Sequence, residues 1–252
     1  MSGHNKWANI KHRKGAQDKK RSALFNKIIR ELTVSAREGG GDPDSNPRLR
    51  VAMDKSRDAN MPKDTMEKAV KRGTGELEGV EYVEITYEGY GSAGVAMLVT
   101  TVSDNKNRTA QEIRHVFSKY NGNMAESGSV AWIFEKKGSM TVAKDQIADM
   151  DEFMMTAIDS GAEDIDDSGD PVSITTAPED MMQVADALNE AGYTPKDVEF
   201  SYLPKNTVSI EGRDAEKVLN LISKLEDLDD VQNVYANFDI EDAEMERIME
   251  TL

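Results

Sequence analysis

The spacing of apolar residues changes character twice along the chain. Up to Arg21 there is no sustained apolar period, only polar and basic side chains, and this predicts a mobile arm. From Ser22 onward Leu24, Phe25, Ile28, Ile29 and Leu32 recur at helical spacing and predict one amphipathic helix, stopped by Gly39-Gly40-Gly41. At 100° per residue Lys20, Lys27, Arg30 and Arg37 fall on the opposite side, so one face should be buried and the other presented to an anion. Asn46-Pro47 has the cap-then-proline order of a new helix, predicted to run to about Ala59 and to bury Leu49 and Met53. A third helix is expected from Pro62 through Met66, Ala69 and Val70 to Gly73, with 73–79 as a linker.

Beyond the linker, period-two alternation predicts strands over 80–87 and 95–102, joined by a glycine-rich turn. A helix over 109–119 follows, and then a hairpin of 129–135 and 139–142 about Lys137-Gly138. Ile147, Phe153, Met154 and Ile158 predict a further helix, followed by an acidic turn over 163–170. The last third echoes itself. Val172-Ser173-Ile174 leads to a helix with Val184 and Leu188 and a strand from Val198. Val208-Ser209-Ile210 leads to a helix with Val218 and Ile222 and a strand from Val231. The expected fold class is α+β: an N-terminal three-helix domain followed by two ferredoxin-like α/β domains, the middle one discontinuous. The expected boundaries are 1–75, 80–128 with 206–240, and an insertion over 129–205.

Charge sharpens this picture. The net charge of -16 conceals a step. Through Gly73 there are 18 Lys and Arg against 9 Asp and Glu, whereas the remainder has 13 against 38. One end attracts phosphate, and the other repels it and favours solubility. Lys6, Lys11, His12, Arg13, Lys14, Lys19, Lys20 and Arg21 are packed into sixteen positions interrupted by one carboxylate, Asp18. Clustered cations bind polyanions by releasing counterions from phosphates, a largely sequence-independent effect. With Trp7 among them, and with Lys27 and Arg30 continuing the basic face, they form the candidate nucleic-acid site. The competing reading is a solvated tail. Trp7 has two readings of its own, stacking on a base or anchoring the arm to the helices. Trp132 and the methionines at 150, 154, 155, 181 and 182 read as core.

Other chemistry finds little footing. Gly89-Tyr90-Gly91-Ser92-Ala93-Gly94 matches a dinucleotide pattern, but a strand follows it instead of a helix, so a hairpin turn is the better reading. Asp104-Asn105-Lys106-Asn107-Arg108-Thr109 sits at a strand-to-helix turn and reads equally as a functional turn or a helix cap. The three histidines, His4, His12 and His115, have no ligand or triad spacing, and the acidic run 163–167 lacks the spacing and glycine of a calcium loop. There is no cysteine and no apolar run of membrane-spanning length, and the polar opening Met1-Ser2-Gly3-His4-Asn5-Lys6 is not expected to act as a secretory leader. The expectation is a cytoplasmic, non-enzymatic protein with no cofactor and no metal.

Several blocks taken together resemble the YebC/PmpR family. They are Gly3-His4-Asn5-Lys6-Trp7-Ala8-Asn9-Ile10-Lys11-His12-Arg13-Lys14, Gly39-Gly40-Gly41-Asp42-Pro43 and Asn46-Pro47-Arg48-Leu49-Arg50. Asn60-Met61-Pro62-Lys63-Asp64, Arg72-Gly73-Thr74-Gly75, Tyr87-Glu88-Gly89-Tyr90-Gly91, the Asp104–Thr109 turn and Gly128-Ser129-Val130-Ala131 continue the series. The second half matches mainly in pattern. Asn5 stands where Ser is common, Ser92-Ala93 where Pro-Gly is common, and Tyr120-Asn121 and Ala125-Glu126 depart from the usual small residues; these touch loop details. The resemblance implies three domains, a cytoplasmic location and a transcriptional regulator that binds promoter DNA. It also implies an alternative, because relatives in mitochondria activate translation and some bacterial members assist the ribosome; ribosomal RNA is then the partner.

Overall fold

In the computed structural model the described residues are 18–249, with the side chains of 18–20 and 242 left out. Most of the expected arm, 1–17, therefore lies outside the described residues, and its last positions, 18–21, belong to the first helix instead. Two compact units emerge: one spans Phe134–Leu203, and the other takes in the chain on either side of it.

The larger unit begins with three helices, α1 (Asp18–Gly39), α2 (Pro47–Asp58) and α3 (Lys63–Gly73). Asn46 starts α2 as expected. Its side-chain oxygen accepts from the Leu49 amide at 3.1 Å, and its Nδ2 donates to the Ser35 and Gly40 carbonyls at 2.8 Å each. One buried amide thus caps one helix and closes the end of another. Ile28, Leu32, Leu49, Ala52, Met66 and Ala69 form the core of this three-helix head; Met53, expected within it, is only partly buried against it. At the α1–α3 crossing a Cβ on Gly73 would press into the Thr33 carbonyl and come within 2.8 Å of the Ala36 methyl. Gly73→Ala should lower the unfolding free energy by about 1–3 kcal/mol through overpacking. At an open helical site the same change stabilises by up to about 1 kcal/mol, so a urea titration that found a gain in stability would contradict the close crossing.

The body of this unit is a four-stranded antiparallel sheet of β1 (Val83–Tyr90), β2 (Ala96–Ser103), β3 (Asn123–Ala125) and β9 (Val231–Ala236), in the order β3-β1-β2-β9. One face carries α4 (Lys106–Lys119) and α7 (Gly212–Glu226). Between sheet and helices lies a core of Met97 and Val99 from β2, Ile113 and Phe117 from α4, and Leu219 and Ile222 from α7. The glycine motif at 89–94 does make a hairpin turn, although Gly89 and Tyr90 belong to β1 and the positive φ angles fall on Ala93, at 56°, and Gly94, at 77°. A C-terminal helix, α8 (Asp242–Met249), which no expectation covered, adds Met245 and Ile248 to the same core.

The second unit follows the order β4 (Phe134–Val142), α5 (Met150–Ser160), β5 (Ala162–Asp166), β6 (Val172–Thr176), α6 (Met181–Glu190) and β7 (Lys196–Pro204). Its sheet order β5-β6-β4-β7 is the ferredoxin-like arrangement of a βαββαβ chain. Met140, Phe153, Ile174, Met181 and Leu188 fill its interior.

Four local expectations are corrected. The hairpin about Lys137-Gly138 is a single strand, β4; Gly138 is needed there because a Cβ would meet Thr176 and lie 2.6 Å from Met181 Cβ. The acidic turn begins as strand β5, whose pairing with β6 overrides a poor strand composition. The echo is unequal, since β8 (Val208–Ser209) joins β10 (Phe238–Asp239) in a separate parallel pair and leaves the main sheet alone. Trp132, Met155 and Ile158 are exposed, Trp132 at 64%.

Candidate nucleic-acid interface

Lys6, Trp7, Lys11, His12, Arg13 and Lys14 lie outside the described residues, and Lys19 and Lys20 stand on the first turn of α1 with side chains outside them. Arg21 is exposed, its guanidinium 5.4 Å from the centre of the Phe25 ring. From Leu32 to Ala36 five successive residues of α1 are buried, so this helix is covered on both sides, by α2 and α3 and by the body. The anion that the polar side of α1 meets is the protein's own. Lys27 Nζ donates to the Glu226 carbonyl at 2.6 Å, Arg30 donates to the Asp229 carbonyl, and Arg30 Nη1 lies 2.7 Å from Asp230 Oδ1. Glu226 ends α7, so both cations sit where unpaired carbonyls and the helix dipole favour positive charge. Arg37 donates to the Tyr82 carbonyl.

Asp230 is the centre of this contact. It is 2% exposed, yet Arg108 donates to its Oδ2 at 2.8 Å, and the Ser103 and Thr109 hydroxyls lie 2.9 and 2.6 Å from the same oxygen. Burial pushes its pKa up. The bonds from Arg108, Thr109 and Ser103 and the charge of Arg30 outweigh that and hold it below the ordinary 3.8. The Asp104–Thr109 turn is thereby explained: Asn105 caps α4 by accepting the Arg108 amide at 3.1 Å, and Arg108 and Thr109 are committed to Asp230. Arg48 makes a parallel tie. It contacts Glu31 at 2.7 Å, Glu38 at 2.8 Å and Glu84, joining α2, α1 and β1.

Two features escaped the sequence reading. Among the body's described helices α4 alone has a cationic surplus, Lys106, Arg108, Arg114 and Lys119 against Glu112, with Lys106, Arg114, His115 and Lys119 exposed. The second is the loop before β4. Glu88, 4% exposed on β1, accepts the amides of Gly128 at 2.7 Å, Val130 at 2.6 Å and Ala131 at 2.9 Å. Burial raises its pKa, but these backbone amides win and keep the carboxylate ionised below the usual range. The next residue is the exposed Trp132, at a 3-10 turn over Ala131–Ile133.

Comparison with known proteins places this geometry. A model of the TACO1/YebC N-terminal domain matches residues 5–76, and one of the TACO1/YebC second and third domains matches 82–238. A "probable transcriptional regulatory protein" of Kosmotoga olearia is 64% identical across the full length of both chains. One of the same description from Thermotoga maritima is 58% identical over all of this chain and 99% of its own. The crystal structure of a conserved hypothetical protein from Aquifex aeolicus superposes with a TM-score of 0.81 at 43% identity, covering 89% of this chain and 92% of that one.

Proposed function

The chain belongs to the TACO1/YebC family, and from that premise we propose that it is a regulator of gene expression that acts by binding nucleic acid, not by catalysis. Promoter DNA is the target we assign to it, and the basic N-terminal segment is the contact. The observation that carries this reading is the charge step at Gly73, from a basic surplus before it to a large acidic surplus after it. A polyanion is drawn to one end only. The relatives named as probable transcriptional regulatory proteins support the regulatory role.

Within that segment the labour divides. Lys6, Trp7, Lys11, His12, Arg13, Lys14, Lys19, Lys20 and Arg21 contact phosphates and, at Trp7, bases. Lys27 and Arg30, committed to the end of α7 and to Asp230, hold the helix at the correct angle. The exposed cations of α4, Lys106, Arg114 and Lys119, extend the attraction onto the body. A second reading, ribosomal RNA in place of DNA, is favoured by the exposed indole of Trp132, since unpaired bases are commoner in folded RNA than in duplex DNA.

Crosslinking in growing cells, with DNA and RNA recovered separately, tests the proposal. Enrichment at a few promoter segments is the expected result. Enrichment on ribosomal RNA near one functional centre would replace the DNA target with the RNA one, and recovery of neither would end the nucleic-acid reading.

A further inference from the structure

Trp132 poses a physical question that its neighbourhood answers. An indole left 64% exposed gives up much of the stabilisation that burial of its large apolar surface supplies. Its polar edge is already satisfied, because Nε1 donates to the Ser129 carbonyl at 3.0 Å. What remains on offer is the flat apolar ring. The backbone beneath it is held at several points: the Glu88 carboxylate binds three amides, Val130 is fully buried, Tyr90 Oη donates to the Ser129 carbonyl at 3.2 Å, and the Ile133 carbonyl accepts the Lys205 amide at 2.8 Å. A buried carboxylate is costly to keep, and here it is spent on fixing a loop whose most prominent residue faces solvent.

The surroundings distinguish the occupants. Glu126, Ser127, Gly128, Ala131 and Glu135 are exposed, small or polar neighbours in sequence, Glu135 with its charge met by Lys137, and none of the other large exposed apolar residues, such as Leu77, Met155 or Ile158, belongs to this loop. An apolar protein partner needs a contiguous patch. The single large exposed apolar side chain of a loop of small or polar residues suits a single flat, polar-edged ligand ring. We propose that Trp132 is a stacking platform for one unpaired nucleobase, held ready by the Glu88-clamped loop. The inference rests on the nucleic-acid reading above and adds to it a base contact on the body, remote in sequence from the basic arm.

The test uses the full chain and a labelled 12-nucleotide single strand carrying 5-iodouracil, made once as RNA and once as DNA, beside the corresponding duplex. Irradiation and peptide mass spectrometry should find Trp132 crosslinked to single strand and not to duplex, and the RNA and DNA arms identify the source of the base. Trp132→Ala should weaken single-strand binding, read by anisotropy, about 5- to 150-fold, the usual range for one base–aromatic stack. Trp132→Phe should recover most of the loss, which a purely structural role would not require. Unchanged affinity in Trp132→Ala with crosslinks confined to other segments would overturn the stacking role while leaving nucleic-acid binding intact, and would point to a protein as the reader of the indole. Binding of neither single strand nor duplex would overturn both.

Discussion

Asp230→Asn should cost the larger unit about 3 kcal/mol of unfolding free energy, measured by denaturant titration, and this is the largest stability effect expected of any single substitution here. The side chain is buried and serves Arg30 and Arg108 together with two hydroxyls. Removing its charge takes from Arg30 the carboxylate it meets at a buried site, the situation in which breaking an ion pair costs several kcal/mol, whereas Arg108 keeps its pair with Asp104. The exposure of Arg108 moderates the figure. The pH dependence has a definite sign. A carboxylate whose folded pKa lies below 3.8 binds fewer protons folded than unfolded, so its contribution is complete above about pH 5 and is lost as pH falls below 3.8. The asparagine variant should lack that part of the acid transition. An acid transition of equal size in both proteins would remove Asp230 from its central place.

Charge reversal at Lys11, Arg13, Lys14, Lys20 and Arg21 should instead leave the denaturation midpoint unchanged and weaken binding to duplex DNA by at least about 1000-fold near physiological salt. Each phosphate contact contributes roughly 0.9 to the slope of log affinity against log salt, so five lost contacts flatten the slope by about 4 to 5. Titrations at several salt concentrations read both quantities. A reversed arm that keeps both affinity and slope would transfer the interface to the body, where the cationic face of α4 is the remaining candidate. A lost midpoint would show that the arm is part of the fold.

The helices of the head were legible because their signals are local: a cap at Asn46, a proline at the first position of α2, and apolar residues three and four apart. The commitments of Lys27 and Arg30 were not. A helical wheel reports which side of α1 is polar, but the partner that satisfies that side is supplied about two hundred residues later, by the acidic stretch 226–230, which carries no local signal of that role. Trp132 failed for a related reason. Val130-Ala131-Trp132-Ile133-Phe134 has the composition of a buried strand, yet Glu88 captures the preceding amides and the chain turns as a 3-10 helix that rotates the indole outward. The arm itself was inferred from its basic charge and its lack of an apolar period, signals that need no fold.

The bond between the Ile133 carbonyl and the Lys205 amide has a consequence for how the chain comes together. It closes a neck around the whole Phe134–Leu203 unit, while Met97 of β2 must find Ala236 of β9 from the far side of that insertion. During synthesis the body waits for its last strand, with the edge of β2 unpaired until the insertion has emerged. Closing a long flexible loop costs entropy that rises slowly with length, and an insertion that has already folded, with its two ends brought together, acts as a much shorter tether. An insertion that folds before the body closes would act as a clasp, delivering the C-terminal segment to the open edge of the sheet before that edge can pair with another chain.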